Sequence, residues 1–240
     1  SYRTDLQREV DLFEEVARVY GYDNIPTATS FSGSYDSFTH DDHKFTLDIS
    51  RVLSNLGFYE HFSNSLVSKE ISNSFSNVKA VKISNSLSSE MEYLRTSLIP
   101  GLLDAVSYNL NRKQMNFKLF EVGAIHKYIP KIETRSVETF NLATIWCYNE
   151  ITYWGGNKKY DFYDVKGELF SLIEHFSNSN IKINKDKENG YKDTYKIYVD
   201  KKFIGIFGSI EEAICKRYKI KHKIYVFECN INNFNPFNSK

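Results

Sequence analysis

Four acidic side chains near the start of the chain have a spacing that suits a metal ion. Asp11, Glu14 and Glu15 are spaced i, i+3, i+4, so on a helix their carboxylates share one face. Asp5 lies just before this helix and could fold back over it. Four hard oxygen ligands suit Mg²⁺. The same residues also fit a solvated acidic face near a helix N-terminus, where the helix dipole favours carboxylates, and spacing alone favours this second interpretation.

A basic run lies towards the other end of the chain. Residues 216–223 read KRYKIKHK, which is five Lys or Arg residues and His222. With Tyr218 between the cations, such a run could bind a nucleic-acid backbone. A solvated surface turn is the favoured interpretation, because charge runs usually lie in water. No Ser-His-Asp or Cys-His arrangement can be argued from the order of the residues, so no catalytic residue is assigned.

Composition limits the classes of protein that the chain can represent. The 240 residues suffice for one large domain, or for a domain and a remnant of another. The net charge of +1 provides no global field towards nucleic acid or an acidic membrane surface. Three cysteines without zinc spacing argue against a disulfide framework and indicate a reducing, cytoplasmic location. No apolar run approaches the length of a membrane span.

The apolar pattern predicts the elements that must position these side chains. Helical spacing indicates helices over 8–20, 41–56, 100–111 and 161–177. Strands are expected over 58–67, 78–84, 117–128, 139–148, 194–199, 202–208 and 223–231. A capping box that begins at Ser209 predicts a short helix after it. Because the strands cluster with hairpin-length gaps, we expect an α+β fold with an antiparallel sheet flanked by helices.

Two runs of residues carry a family resemblance. Residues 1–26 read SYRTDLQREVDLFEEVARVYGYDNIP, and residues 88–113 read SSEMEYLRTSLIPGLLDAVSYNLNRK. The second run is closed by LFEVG at 119–123, and YDFYDVKGE follows at 160–168. In this order they resemble the beta subunit of bacterial phenylalanine–tRNA ligase. The resemblance extends over nearly the whole chain, although it is weak between 130 and 160 and after 180.

The resemblance implies a fold and a domain organisation. Residues 31–240 would form a degenerate core of the class II aminoacyl-tRNA synthetase type, and residues 1–30 the end of a small helical domain with a linker. The chain would then be a piece of a longer protein, without its editing, N-terminal tRNA-binding and anticodon-binding domains. In class II folds the helix that matches 41–56 lies at the dimer interface, which suits its amphipathic pattern.

The resemblance also bears on the acidic residues. In the family, four acidic residues of the first run are associated with a Mg²⁺ ion shared with the catalytic subunit. The matching positions here are all acidic: Asp5, Asp11, Glu14 and Glu15. The resemblance therefore implies one Mg²⁺ ion at these residues, completed by the partner subunit.

The same comparison implies that this core has lost its active site. Class II chemistry needs an arginine on a strand, in an Arg-x-Glu setting, to neutralise the α-phosphate of ATP, but residues 118–122 read KLFEV. It also needs a second arginine at the end of a glycine-rich strand and helix, but the run that begins with Gly205 and Gly208 lacks an arginine at the usual spacing. Without these cations the charge on a transferring phosphate goes uncompensated. Arg95 is the best remaining candidate, although it precedes a helix in a run that the family keeps in its non-catalytic subunit.

We therefore expect a non-catalytic segment of the ligase beta subunit. It would pair with the catalytic alpha subunit in an alpha2-beta2 heterotetramer that joins phenylalanine to tRNA(Phe) with ATP in the cytoplasm. The alternative is an independent ATP-dependent ligase with a divergent class II site, which the missing arginines disfavour. A free-standing nucleic-acid-binding module is disfavoured by the net charge of +1.

Overall fold

Helix α1 (Glu9–Tyr20) forms where the apolar pattern predicts it. The carboxylate of Asp11 accepts hydrogen bonds from the backbone N–H groups of Gln7 (3.0 Å) and Arg8 (2.8 Å), which helix formation leaves without partners. Gly21 ends the helix with a φ of 92°, in the left-handed region that favours glycine. No side chain of α1 is buried within this chain.

The computed structural model describes residues 3–33, 42–148, 150–154, 156–177 and 180–234. By its internal contacts the chain divides into two units, Ser1–His40 and Asp41–Lys240. The domain boundary expected after residue 30 stays a prediction. None of the helices within the described residues has the length and apolar character needed to cross a membrane.

The second unit consists of groups of consecutive strands separated by helices. In order, its elements are α2 (Asp42–Asn55), β1 (Phe58–Glu60), β2 (Leu66–Val67), α3 (Lys69–Ser72), β3 (Tyr93–Leu94), α4 (Ile99–Asn111), β4 (Phe117–Tyr128), β5 (Ser136–Cys147), β6 (Glu150–Tyr153), β7 (Gly156–Lys159), α5 (Phe162–Phe176), β8 (Ile181–Asp186), β9 (Tyr191–Val199), β10 (Lys202–Ile210), α6 (Glu212–Arg217), β11 (Tyr225–Asn230) and α7 (Ile231–Phe234).

Seven of these strands form one sheet in the order β1-β4-β5-β11-β10-β9-β8. Strand β1 pairs with β4 in parallel, and the remaining neighbours are antiparallel. Two further pairs, β2–β3 and β6–β7, stand outside this sheet. The predicted α+β fold with a mainly antiparallel sheet is confirmed.

Helices cover both faces of the large sheet, because side chains alternate between the faces along each strand. On one face, Phe120 and Phe227 pack with apolar residues of α2 and α5. On the other face, Leu119 and Val226 pack with apolar residues of α4 and with Cys215 of α6. The large sheet is therefore the middle layer between two hydrophobic cores.

Helix α5 begins where its cap was predicted. The carboxylate of Asp161 accepts hydrogen bonds from the N–H groups of Tyr163 (2.7 Å) and Asp164 (3.2 Å). A short polar side chain at this position satisfies N–H groups that have no partner inside the helix.

Three local predictions were wrong: a single strand over 58–67, a strand over 78–84 and a cap at Ser209. Residues 58–67 form two short strands instead of one, because Ser63 leaves the ladder and donates two hydrogen bonds to Glu121. Residues 78–84 contain an isolated bridge from Lys82 instead of a strand. Ser209 lies in β10, so α6 begins after Glu211 and has no side-chain cap.

Candidate functional site

Two acidic residues lie on the sheet face that α4 covers. Glu121 follows Leu119 by two positions on β4, and Glu228 follows Val226 by two positions on β11, so both side chains point towards the α4 core. The exposed fraction of Glu121 is 1%. Glu228 is half-buried. A carboxylate removed from water needs partners for its oxygens, and the segment before α4 supplies some of them to both residues.

Arg95 and Ser63 enclose the carboxylate of Glu121. The guanidinium of Arg95 donates to Glu121 Oε1 at 2.6 Å, to Ser63 Oγ at 2.9 Å and to the carbonyl of Ala124 at 2.8 Å. The hydroxyl of Ser63 donates to Glu121 Oε2 at 2.7 Å. Both charged side chains are buried. Arg95 is therefore a component of a closed ion pair.

Glu228 is bound by neutral donors. Its carboxylate accepts hydrogen bonds from Ser97 Oγ (2.6 Å), from the N–H of Leu98 (3.1 Å) and from Asn141 Nδ2 (3.0 Å). Loss of solvation raises the pKa of Glu228, because no cation lies close enough to form an ion pair with it among the described residues. The three hydrogen bonds and the more distant Lys127 act in the opposite direction.

Two glycines leave the space that this network needs. A Cβ atom at Gly123 would lie 2.4 Å from Arg95 Nη2, and one at Gly101 would lie 2.2 Å from Ser63 Oγ. Neither distance is compatible with a real methyl group. The glycine at each position therefore permits the close approach of the Arg95 and Ser63 side chains.

The strand that would carry the catalytic arginine instead carries Lys118, which points to the opposite face. Its ammonium group donates to Glu168 at 2.9 Å and to the carbonyl of Leu56 at 2.6 Å. Trp146 Nε1 donates to the same carboxylate of Glu168 at 2.9 Å. Arg95 and Lys118 are both neutralised by carboxylates, so neither is available to compensate the charge of a phosphate.

The structure does not bring the four predicted metal ligands together. Arg3 donates to Asp5 at 2.6 Å and to Glu15 at 2.9 Å, so a cation already lies between these two carboxylates. Hydrogen bonds from Arg3 hold the pKa of Asp5 down, at about 2. The described residues contain no group of three or more His, Cys, Asp or Glu side chains arranged to hold a metal. In this arrangement the acidic set does not fit Mg²⁺.

Asp11 has a structural role that accounts for its charge. The N–H groups of Arg8 and Gln7 and the Arg8 side chain stabilise its ionised form and lower its pKa. This is the bonding expected of a carboxylate in the first turn of a helix. In this structure Asp11 therefore caps the start of α1, whereas spacing alone had favoured a solvated acidic face.

An apolar groove lies beside β1 and α4. It has a volume of about 710 Å³ and includes Phe62, Leu66, Met91 and Tyr108. Phe62 is 76% exposed and Tyr108 is 57% exposed. Large apolar groups left in solvent near a groove are typical of a protein interface.

The described apolar side chains of the amphipathic helix α2 pack mainly into the core, and its place at an interface stays a prediction. Phe45, Ile49 and Leu53 point into the core, and Leu47 is the one exposed large hydrophobic residue among the described side chains of α2. Lys44 and Arg51 are also exposed. The exposed aromatic side chains lie after the helix instead, on β1 and on the loop that follows it.

Comparison with known protein families identifies the family of this chain. The profile described as the phenylalanyl tRNA synthetase beta chain CLM domain matches residues 25–231. The chain belongs to this family. The profile of the tRNA synthetase B5 domain matches residues 1–22, which include α1 and its acidic residues. The family resemblance carried by residues 1–26 and 88–113 is thereby confirmed.

Relatives of this CLM-domain chain are named as beta subunits of phenylalanine–tRNA ligase. One from Carboxydothermus hydrogenoformans is 32% identical over 96% of the chain, and one from Buchnera aphidicola subsp. Schizaphis graminum is 32% identical over 97% of it. The chain spans 30% of the length of each of these relatives.

Solved structures of an aminoacyl-tRNA synthetase share the fold of this chain. The pyrrolysyl tRNA synthetase of Desulfitobacterium hafniense superposes with a TM-score of 0.62 at 11% identity, over 80% of the CLM-domain chain and 64% of its own. At this identity the similarity shows the fold alone. It confirms the prediction of a synthetase-like core of the class II type.

The buried network of the CLM-domain chain was not predicted from its sequence. Arg95 was considered as a spare phosphate ligand, and Glu121 and Glu228 were not considered at all. One signal was available, because each glutamate is the single charged residue within a short run of otherwise apolar residues, LFEVG at 119–123 and YVFEC at 225–229. A lone acid at such a position has to find a buried partner.

Proposed function

We propose that the chain is the non-catalytic, synthetase-like segment of a phenylalanine–tRNA ligase beta subunit. Its function is structural: it pairs with the catalytic alpha subunit and supports the ATP-dependent attachment of phenylalanine to tRNA(Phe). The observation that carries this proposal is the buried ion pair of Arg95 and Glu121. Because Glu121 binds the arginine in a structural contact, Arg95 is not free to bind a phosphate. Family membership and the names of the relatives support it.

An independent ligase with a divergent class II site is disfavoured. Such an enzyme needs cations that are free to stabilise the developing charge on a phosphate. Arg95 is bound by Glu121, and Lys118 is bound by Glu168 on the opposite face. Freeing Arg95 would leave Glu121 as an uncompensated buried charge, which is strongly unfavourable.

The apolar groove is the proposed contact with the alpha subunit. Aromatic side chains are enriched in the cores of protein interfaces. Phe62 and Tyr108 are exposed aromatic side chains that line the groove. Neighbouring Tyr59 and Met115 line a second depression of about 460 Å³ that extends the surface past His61. Assembly as an alpha2-beta2 heterotetramer in the cytoplasm belongs to the same proposal.

Co-purification tests the proposal directly. The chain and the alpha subunit of the same genome are co-expressed and separated by size-exclusion chromatography, and a complex is expected. Replacing both Phe62 and Tyr108 with Ser should weaken this complex. Trp154→Ser is the matched control, because Trp154 is fully exposed but lies at the β6–β7 turn, outside the groove. A complex that survives the double substitution unchanged would exclude the groove, and absence of any complex would count against the function.

Binding of Mg²⁺ by Asp5, Asp11, Glu14 and Glu15 is proposed only for the assembled enzyme. Their acidic character at all four positions and the B5-domain match over residues 1–22 support it. In the arrangement described above, Arg3 binds the carboxylates of Asp5 and Glu15, and backbone N–H groups bind that of Asp11. Mg²⁺ keeps its waters and demands near-octahedral geometry, so it would not displace such partners readily.

Calorimetric titration separates the two interpretations of this acidic set. Mg²⁺ is titrated into the isolated chain and into its complex with the alpha subunit. The double variant Asp11→Asn/Glu14→Gln should lose Mg²⁺ binding in the complex. Glu9→Gln, on the same helix but outside the set, should keep it. Identical titrations for the two variants would leave Asp11 with its capping role alone.

A further inference from the structure

The basic run forms one wall of a single cavity. Helix α6 ends at Arg217, and Lys219 adopts a positive φ of 57° that turns the chain back towards β11. The resulting cavity has a volume of about 450 Å³. Its cationic lining comes from both ends of the run and from β9: Lys192, Lys216, Lys221, His222 and Lys223. Tertiary folding therefore brings together charges that lie on separate elements.

Most of these charges have no acidic partner. Lys192 is paired with Glu212 at 2.7 Å, and Glu212 is the one carboxylate that lines the cavity. Within the part of the chain that the structure describes, no ion pair involves Lys216, Lys221 or Lys223, and all three are exposed. The cavity thus carries a local positive charge, although the net charge of the whole chain is only +1.

The floor of the cavity is apolar. Ile210, Cys215 and Ile220 are buried side chains of the α4-face core that also line it. The lysines that line the cavity therefore suit the binding of negatively charged groups, and the apolar floor suits a flat or apolar group. A polynucleotide strand combines these two properties, because its phosphates alternate with sugars and bases.

We propose that this cavity and its lysines bind the phosphate backbone of RNA. Lys216, Lys221 and Lys223 contact phosphates, and the apolar floor accommodates the sugar or base between them. In the ligase this contact would add to the holding of tRNA, so the inference rests on the proposed function for its biological role. The RNA contact and the proposed contact with the alpha subunit are different surfaces. The cavity lies at α6 and β11, whereas the groove lies beside β1 and α4.

Salt-dependent RNA binding tests the proposal. Fluorescence anisotropy measures the binding of labelled tRNA to the complex of the chain with the alpha subunit over a series of salt concentrations. The triple variant Lys216→Gln/Lys221→Gln/Lys223→Gln should reduce the slope of log K against log salt by about 2, because each phosphate contact contributes about 0.7–0.9. At moderate salt its affinity should fall by about tenfold or more.

The chain offers a matched control on and next to the edge strand β8. Lys182→Gln/Lys185→Gln/Lys187→Gln removes the same charge from exposed positions on and next to β8. This variant should change the slope much less than the first. Equal slopes for the two triple variants would overturn the proposal, since they would show a response to total charge only. Competition by polyglutamate as effective as competition by unlabelled tRNA would overturn it too.

The two proposals can fail separately. Size-exclusion chromatography of the first triple variant reports assembly with the alpha subunit, and a thermal melt reports its folding. If no complex forms with the unmodified chain, the proposed function fails, and the anisotropy series on the isolated chain still tests the cavity. If the complex forms and the slope does not change, the RNA contact alone is excluded.

Discussion

Glu121 on β4 and Glu228 on β11 occupy the same register of the sheet, because each pairs across the ladder with Ala143 on the strand between them. With neighbouring strands about 4.8 Å apart, their backbones are separated by about 10 Å on one face. Arg95 compensates the first acid with its charge, whereas neutral donors bind the second. Arg95 and Ser97 both lie in the segment that leads into α4, so this one segment binds both acids.

Removing the arginine should destabilise the fold strongly. Arg95→Met leaves Glu121 as a buried charge without a cation, and breaking such a pair costs about 3–5 kcal/mol. The double variant Arg95→Met/Glu121→Gln should be less destabilised than Arg95→Met, because it no longer buries a lone carboxylate. Urea denaturation of the four proteins of this cycle measures the coupling. Additive effects would contradict a closed ion pair.

The glycine beneath the guanidinium should be intolerant of a side chain. Gly123→Ala places a methyl group 2.4 Å from Arg95 Nη2, and overpacking of this kind costs about 1–3 kcal/mol. Gly167→Ala is the control, because Gly167 lies in helix α5 with nothing within 4 Å of the new methyl group. That substitution should stabilise the protein by up to about 1 kcal/mol. Similar melting temperatures for the two variants would refute the predicted contrast.

Glu228→Gln should alter the pH dependence of stability. Loss of solvation raises the pKa of Glu228 above its ordinary value near 4.5, so the folded state binds this proton more tightly than the unfolded state. The stability that this group contributes is therefore present below the ordinary pKa and is lost as the pH rises through the raised pKa.

The expected result follows from that sign. Gln keeps an oxygen for Leu98 and Asn141 and has an NH₂ group that can donate to the Ser97 hydroxyl. The variant should therefore be more stable than the parent at pH 7, and the difference should shrink as the pH approaches 4.5. Denaturation of both proteins at several pH values measures this difference, and one that does not vary with pH would contradict the raised pKa.

The isolated chain should not activate phenylalanine. Because Arg95 and Lys118 are both bound by carboxylates, neither can stabilise a transferring phosphate. We expect no phenylalanine-dependent pyrophosphate exchange from the chain after rigorous removal of host synthetase. Exchange should be measurable for the catalytic alpha subunit assembled with its full beta partner. Turnover by the isolated chain that is lost in Arg95→Met, with the fold retained, would revive the rival interpretation.

The sequence by itself determined the local elements with strong signals. The apolar spacing of α1 and α5, the cap at Asp161 and the long strands β4 and β5 follow from interactions between residues close along the chain. The two runs at 1–26 and 88–113 were also sufficient to indicate the family, which the profile match confirms. These features need no information about distant parts of the chain.

Tertiary structure alone decided how the charged residues are used. Arg95 lies 26 positions from Glu121, and Ser97 lies 131 positions from Glu228, and spacing cannot show which distant residues will meet when the loops between them close. The acidic face of α1 is a similar case, because its spacing indicated a shared face but not that Arg3 lies between Asp5 and Glu15. A buried charge is stable only with a partner, and it is the packing of α4 and the preceding segment against the sheet that brings the partners to Glu121 and Glu228.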